Sequence, residues 1–119
     1  MNAEMTKLTQ PVIESAIDEH VRSFLRKTAS RTLHVGVLGL GYVGLPLAQA
    51  LARRGFKVTG YDVNPARTES VAGGRSPFRH ISDDSVLALV ESGRFDATTD
   101  FERLDEPDAI LICVPTPLG

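Results

Sequence analysis

LHVGVLGLGYVG, residues 33–44, changes periodicity within twelve positions. Leu33-His34-Val35-Gly36-Val37-Leu38 is short, apolar and partly β-branched, and it ends on glycine, the pattern of a buried strand. Gly39-Leu40-Gly41-Tyr42-Val43-Gly44 then supplies G-x-G-x-x-G, and Leu45, Leu47, Ala48, Leu51 and Ala52 form one apolar helix face that stops at Gly55 after Arg53 and Arg54. A strand, a glycine loop and a helix in this order fit a dinucleotide-binding turn. The first glycine permits the tight turn, the second lets the backbone approach a pyrophosphate, and the third lets the helix pack closely on the strand. Backbone N–H groups and the helix dipole at the turn favour phosphate.

Glycines alone would mark only a tight turn. Asp62 gives the loop its meaning. Phe56-Lys57-Val58-Thr59-Gly60-Tyr61 alternates as a second strand, and Asp62 closes it, 18 residues after Gly44. A carboxylate there accepts both hydroxyl hydrogens of an adenosine ribose and repels a 2′-phosphate, which favours NAD over NADP. The bland alternative is a cap for the helix that Asn64-Pro65 begins and Gly73-Gly74 ends. Arg67, on the first turn of that helix, is either a solvated arginine or a cation that reaches the adenosine side and tolerates NADP.

Farther on, Gly73 to Ser82 reads as a connector, Asp83 to Ser92 as a short helix and Phe95 to Thr99 as a short third strand. Ala109 to Val114 is apolar without a break, which fits a central parallel strand covered on both faces. Toward the amino terminus, Val12, Ile13, Ala16, Ile17, Val21, Phe24 and Leu25 recur at spacings of three and four, predicting a helix from Thr9 to about Thr28 with Pro11 in its first turn. Its acidic residues come early and its basic residues late, as the helix dipole prefers. The expected architecture is a Rossmann-type doubly wound α/β sheet, truncated at about four parallel strands. A helical extension (1–31) precedes an incomplete NAD-binding domain (32–119).

Composition excludes several classes. A formal net charge of -2 gives no broad attraction to nucleic acid. One cysteine, Cys113, rules out an intrachain disulfide and cysteine-zinc spacings, and suits a reducing cytoplasm. His20, His34 and His80 have no metal-ligand spacing, so no metal is expected, although His80 is a candidate for the substrate side of the connector. No apolar run is long enough to span a membrane, and the amino terminus lacks a signal-peptide pattern. Cys113, inside an apolar strand, reads as a small buried hydrophobe rather than a nucleophile.

GLGYVGLPLA (39–48), GYDVN (60–64), Thr98-Thr99-Asp100-Phe101 and DAILICVPTPL (108–118) together resemble the UDP-glucose/GDP-mannose dehydrogenase family, over about Leu33 to Leu118. Tyr42-Val43, Leu45-Pro46 and the V-P-T-P loop are more particular than the general glycine pattern. The resemblance implies a two-step, NAD-dependent oxidation of a UDP-sugar C6 hydroxyl to a carboxylate by a homo-oligomer. It implies dinucleotide contacts from Gly39, Gly41, Tyr42, Val43, Gly44, Asp62, Arg67, Val114 and Thr116. The connector Ser76-Pro77-Phe78-Arg79-His80-Ile81-Ser82 is similar to the branch that oxidises UDP-N-acetylhexosamines. Family enzymes take their nucleophilic cysteine, general base and substrate lysines from farther along the chain, so no catalytic residue is assigned and the chain alone is expected to be inactive.

Two other functions fit parts of the pattern. One is a stand-alone, non-catalytic NAD-binding or sensing module. The other, a hydroxyacid dehydrogenase, shares the glycine loop but fits Tyr42-Val43 and Val114 to Pro117 less well. An apolar strand left at a sheet edge would also invite aggregation.

Overall fold

A computed structural model describes residues 15–113. They fall into two units, a helix and everything from Arg31 onward. The helix, α1, spans Ser15–Ser30, so its expected first turns and Pro11 lie outside the described residues. Thr28 and Ser30 fold their hydroxyls back onto the carbonyls of Phe24 and Arg26, both at 2.8 Å, and Arg31 follows in the left-handed region at φ 60°. A left-handed residue ends a helix because it cannot continue the i to i−4 ladder. Val21, Phe24 and Leu25 remain exposed on α1.

The second unit runs β1 (His34–Leu38), α2 (Gly44–Arg53), β2 (Lys57–Tyr61), α3 (Pro65–Ala72), α4 (Asp83–Glu91), β3 (Phe95–Thr98), a 3₁₀ turn (Phe101–Asp105) and β4 (Ala109–Ile112). All pairings are parallel, in the order β3-β2-β1-β4. The boundaries follow local chemistry. Asn64 caps α3 by accepting from the Ala66 N–H at 3.0 Å, with Pro65 in the first turn; Ser82 caps α4 by accepting from Ser85 N–H at 3.1 Å. The 3₁₀ turn was not foreseen from periodicity. Asp100 starts it by accepting from Glu102 N–H at 3.0 Å.

One sheet face packs on the helices. Val37 and Val58 meet Leu45, Ala48, Val71, Val86 and Leu89, with Phe95 and Ala97 of β3 against their edge. Residues two apart on a strand share a face, so the intervening His34, Thr59 and Asp96 lie on the other. There they form a chain of hydrogen bonds. The Thr59 hydroxyl donates to Asp96 Oδ1 at 2.9 Å and lies 2.7 Å from His34 Nε2. Because the carboxylate can only accept, the hydroxyl proton is committed to it, and a neutral His34 must donate from Nε2. Arg103 Nη2 then donates to Asp96 Oδ2 at 2.7 Å, and its Nε donates to Glu106 at 2.9 Å.

Burial, helped by the charge of Lys57, pushes the His34 pKa down. Hydrogen bonding to Arg103 holds the Glu106 carboxyl below its ordinary range, and the hydrogen bonds from Glu106 and Asp96 raise the Arg103 pKa further. Tyr61 donates its hydroxyl to the Arg103 carbonyl at 2.7 Å, and burial pushes its pKa up.

β4 is the apolar strand at one side of the sheet. It pairs with β1 from Val35↔Ala109 to Leu38↔Ile112, yet it is the last strand of the described sheet, and Ile112 is 70% exposed. Among the described residues its apolar run is the open edge expected of a sheet of about four strands. Apolar composition reports what a strand can bury, not which neighbour stands beside it.

Candidate functional site

A cleft of about 830 Å³ opens at the carboxyl ends of β1, β2 and β4. Cofactor sites commonly enclose about 300–1,000 Å³, and in open α/β sheets they lie at this end of the strands. Its floor is the glycine loop. Gly39 has φ 100°, a conformation that side chains resist, and its N–H donates to the Tyr61 carbonyl at 2.7 Å, tying the loop to β2. A Cβ on Gly44 would stand 1.6 Å from the Gly39 carbonyl oxygen, so the start of α2 can lie against the loop only without a side chain. A Cβ on Gly41 would meet nothing within 4 Å among the described residues, since that glycine faces the cleft. A tight turn, an open face and close packing are the backbone features that these three glycines allow.

Val43 is the N-cap of α2 and makes no side-chain hydrogen bond to the first turn. The start of a ten-residue helix thus meets the cleft with no side-chain acceptor at its cap. Such a terminus favours an anion. The space over Gly41 and this helix start suit a pyrophosphate.

Asp62 lies at the carboxyl end of β2 and is 7% exposed. Its Oδ2 accepts from Leu40 N–H and its Oδ1 from Asn64 N–H, each at 2.9 Å, which orients the carboxylate. Each oxygen can accept a second hydrogen, so the group can still take two ribose hydroxyls. It is not the helix cap, because Asn64 caps α3. Arg67, from the first turn of α3, comes within 3.6 Å of Asp62 Oδ2, and its guanidinium carbon stands 5.1 Å from the Phe78 ring centre. It is therefore not a solvated helix arginine.

Tyr42 and Val43 are each 68% exposed at the rim, and Val63 and Ile112 join them. Apolar side chains left in water around a cleft mark a surface built to be covered. Tyr42 packs on Phe78 at 4.4 Å and stacks on His80 at 5.1 Å. The connector thus sits above the glycine loop, and His80 reaches Tyr42.

Cys113 requires a correction. It follows the last residue of β4, is half-buried, and forms part of the cleft wall, so it is not a fully buried strand residue. Its N–H still donates to the Leu38 carbonyl at 2.7 Å, which extends the ladder one residue beyond the strand and brings the side chain to the cleft. Val114 and Thr116, expected to contact the dinucleotide, lie outside the described residues. Phe78 and Phe101, both in the cleft wall, were missed as site residues. An aromatic residue in the otherwise small and polar connector was the available signal for Phe78. Among the described residues no cluster of three or more His, Cys, Asp or Glu side chains suits a metal ion, and no helix is long and apolar enough to cross a membrane.

Residues 33–119 match the model of the UDP-glucose/GDP-mannose dehydrogenase family, NAD binding domain. A UDP-N-acetyl-D-mannosamine dehydrogenase of Yersinia pestis is 42% identical over 70% of this chain and 19% of its own length. One from Methanococcus maripaludis is 39% identical over 68% of this chain and 18% of its own. Among solved structures, a UDP-glucose dehydrogenase from Pyrobaculum islandicum aligns with a TM-score of 0.68 and 34% identity, covering 74% of this chain and 21% of that one. A GDP-mannose dehydrogenase from Pseudomonas aeruginosa aligns with a TM-score of 0.64 and 33% identity, covering 70% of this chain and 20% of that one. The chain spans about a fifth of the length of these relatives.

Proposed function

Because the chain belongs to the UDP-glucose/GDP-mannose dehydrogenase family and carries its NAD-binding domain, we propose that it serves a nucleotide-sugar 6-dehydrogenase that oxidises the C6 hydroxyl of a UDP-N-acetylhexosamine to a carboxylate. The N-acetylhexosamine class is supported by relatives named for UDP-N-acetyl-D-mannosamine and by the Ser76–Ser82 connector. Bound NAD would accept a hydride in each of the two oxidation steps. This chain's own residues would bind and orient it.

In this reading the backbone of Gly39, Gly41 and Gly44 and the start of α2 hold the pyrophosphate. Asp62 accepts from the adenosine ribose hydroxyls, Arg67 supplies a cation beside it, and Tyr42 and Val43 cover the loop. Val114 and Thr116 complete the contacts. No nucleophile or general base is assigned to this chain, whose part in the reaction is to bind and orient the dinucleotide. The whole enzyme is a cytoplasmic homo-oligomer.

The observation that carries the proposal is the Asp62 carboxylate, fixed by two backbone N–H groups at 2.9 Å on the wall of the cleft above the glycine loop. Calorimetric titration of the chain with NAD tests it. Saturable binding that weakens at least about ten-fold in Asp62→Asn, equivalent to roughly 1.4 kcal/mol, is expected. A folded chain that binds no NAD, or a variant that binds as tightly as the parent, would sink it.

A further inference from the structure

Arg67 presents an unresolved feature of the cleft. Its Nε is buried and, among the described residues, has no hydrogen-bond partner, while Nη1 faces Asp62 at 3.6 Å and the guanidinium lies over the Phe78 ring. A buried N–H without an acceptor destabilises its own conformation. Something must hold the cation there against that cost, and among the described residues the Asp62 carboxylate and the aromatic face contact it.

Phe78 is itself firmly placed. It is 9% exposed, its N–H donates to Ser76 Oγ at 3.0 Å, and the same hydroxyl donates to the Phe78 carbonyl at 2.7 Å. The Ser76 N–H donates in turn to Asp83 Oδ1 at 2.8 Å, anchoring this turn to the start of α4. Tyr42 packs against the ring at 4.4 Å. The ring is a fixed surface.

We propose that Phe78 is a positioning residue for cofactor choice: it holds Arg67 over its face and so withholds the guanidinium from a ribose 2′-phosphate, keeping the cleft selective for NAD over NADP. The inference rests on the assignment of the cleft to NAD and of Asp62 to the ribose. A 2′-phosphate would bring its negative charge to the Asp62 carboxylate, where Arg67 is the cation among the described residues of the cleft wall that could move to compensate. With Nε turned inward, Arg67 offers the ligand side only part of its donor fork. Without the ring it can swing outward, free its buried N–H and meet the phosphate, leaving Asp62 for the other ribose hydroxyl. Selectivity for NAD then falls because NADP binding improves.

The test measures NAD and NADP dissociation constants by calorimetry for the full chain and for Phe78→Leu, which keeps an apolar side chain but removes the π face, with circular dichroism to verify the fold. The ratio of the NADP constant to the NAD constant is expected to fall about three- to ten-fold in Phe78→Leu, from a loss of cation–π holding. It should stay within about two-fold of the parent in Phe78→Tyr, which retains the face. In an Arg67→Ala background, Phe78→Leu should leave the ratio unchanged. An unchanged ratio in folded Phe78→Leu, or the same fall without Arg67, overturns the proposal. Failure of the parent to bind either dinucleotide overturns the assignment of the cleft, and this inference with it.

Discussion

On the helix-covered face of the sheet, Val37 and Val58 are wholly buried among Leu45, Val71 and Val86, whereas the opposite face joins His34, Thr59 and Asp96 through hydrogen bonds of 2.7 and 2.9 Å. The first face is held by shape, the second by donor and acceptor matching. A shape-held face suffers most from added or removed volume. A polar face suffers most from an unmatched group. The glycine loop and its carboxylate sit where the two meet, at the strand ends, and they use both devices: close backbone packing at Gly44 and oriented hydrogen bonds at Asp62.

The strongest way to break the shape-held side is Gly44→Ala, whose new methyl would stand 1.6 Å from a backbone oxygen that cannot move without disturbing the loop. A loss of at least about 3 kcal/mol of stability is expected, above the usual range for overpacking because backbone meets Cβ directly. Urea unfolding followed by circular dichroism measures it, and a loss below about 1 kcal/mol would show that loop and helix can separate cheaply. A second change attacks the polar side. Thr59→Val preserves shape but leaves His34 without its acceptor and removes one hydrogen bond to Asp96. About 1–3 kcal/mol should be lost in the same assay. If the variant matches the parent, the chain of hydrogen bonds adds no net stability.

The smallest effect is one of pH. The His34 pKa is lowered in the folded protein, so the unfolded imidazole, at about 6.5, takes up a proton first as pH falls. Stability from this group is complete above that value and is lost as pH descends through the lower folded pKa. The slope is bounded by about 1.4 kcal/mol per pH unit for one proton. Urea midpoints measured from pH 7.5 down to 5 should decline more steeply for the parent than for His34→Gln, which keeps a donor and does not titrate. Parallel declines would assign the pH dependence to other groups.

Much of the site was legible because it is local. The loop's glycines and Asp62 are tied to a strand-to-helix turn whose geometry is dictated within about thirty residues. Asp62 also shows how far such legibility reaches: its place at the end of β2 followed from alternation, but its two backbone donors depended on where Leu40 and Asn64 come to lie. Phe78 was less accessible still. Its contact with Arg67 joins a connector to a helix, and neither periodicity nor propensity reports which side chains meet across such a gap. β4 was legible as a strand from its unbroken apolar run, although such a run has the same letters at an edge as in the middle. The polar chain from His34 to Arg103 crosses three strands and a 3₁₀ turn, with no spacing that would announce it.

The Leu40 N–H, handed to the Asp62 carboxylate beneath a fully buried side chain, ties the two ends of the motif through a single proton. In deuterated solvent that proton becomes a clock. Its replacement waits for the glycine loop to breathe away from the carboxylate, so its lifetime records the local opening free energy of the loop, and a dinucleotide fastened across both would lengthen that lifetime by closing the same hinge.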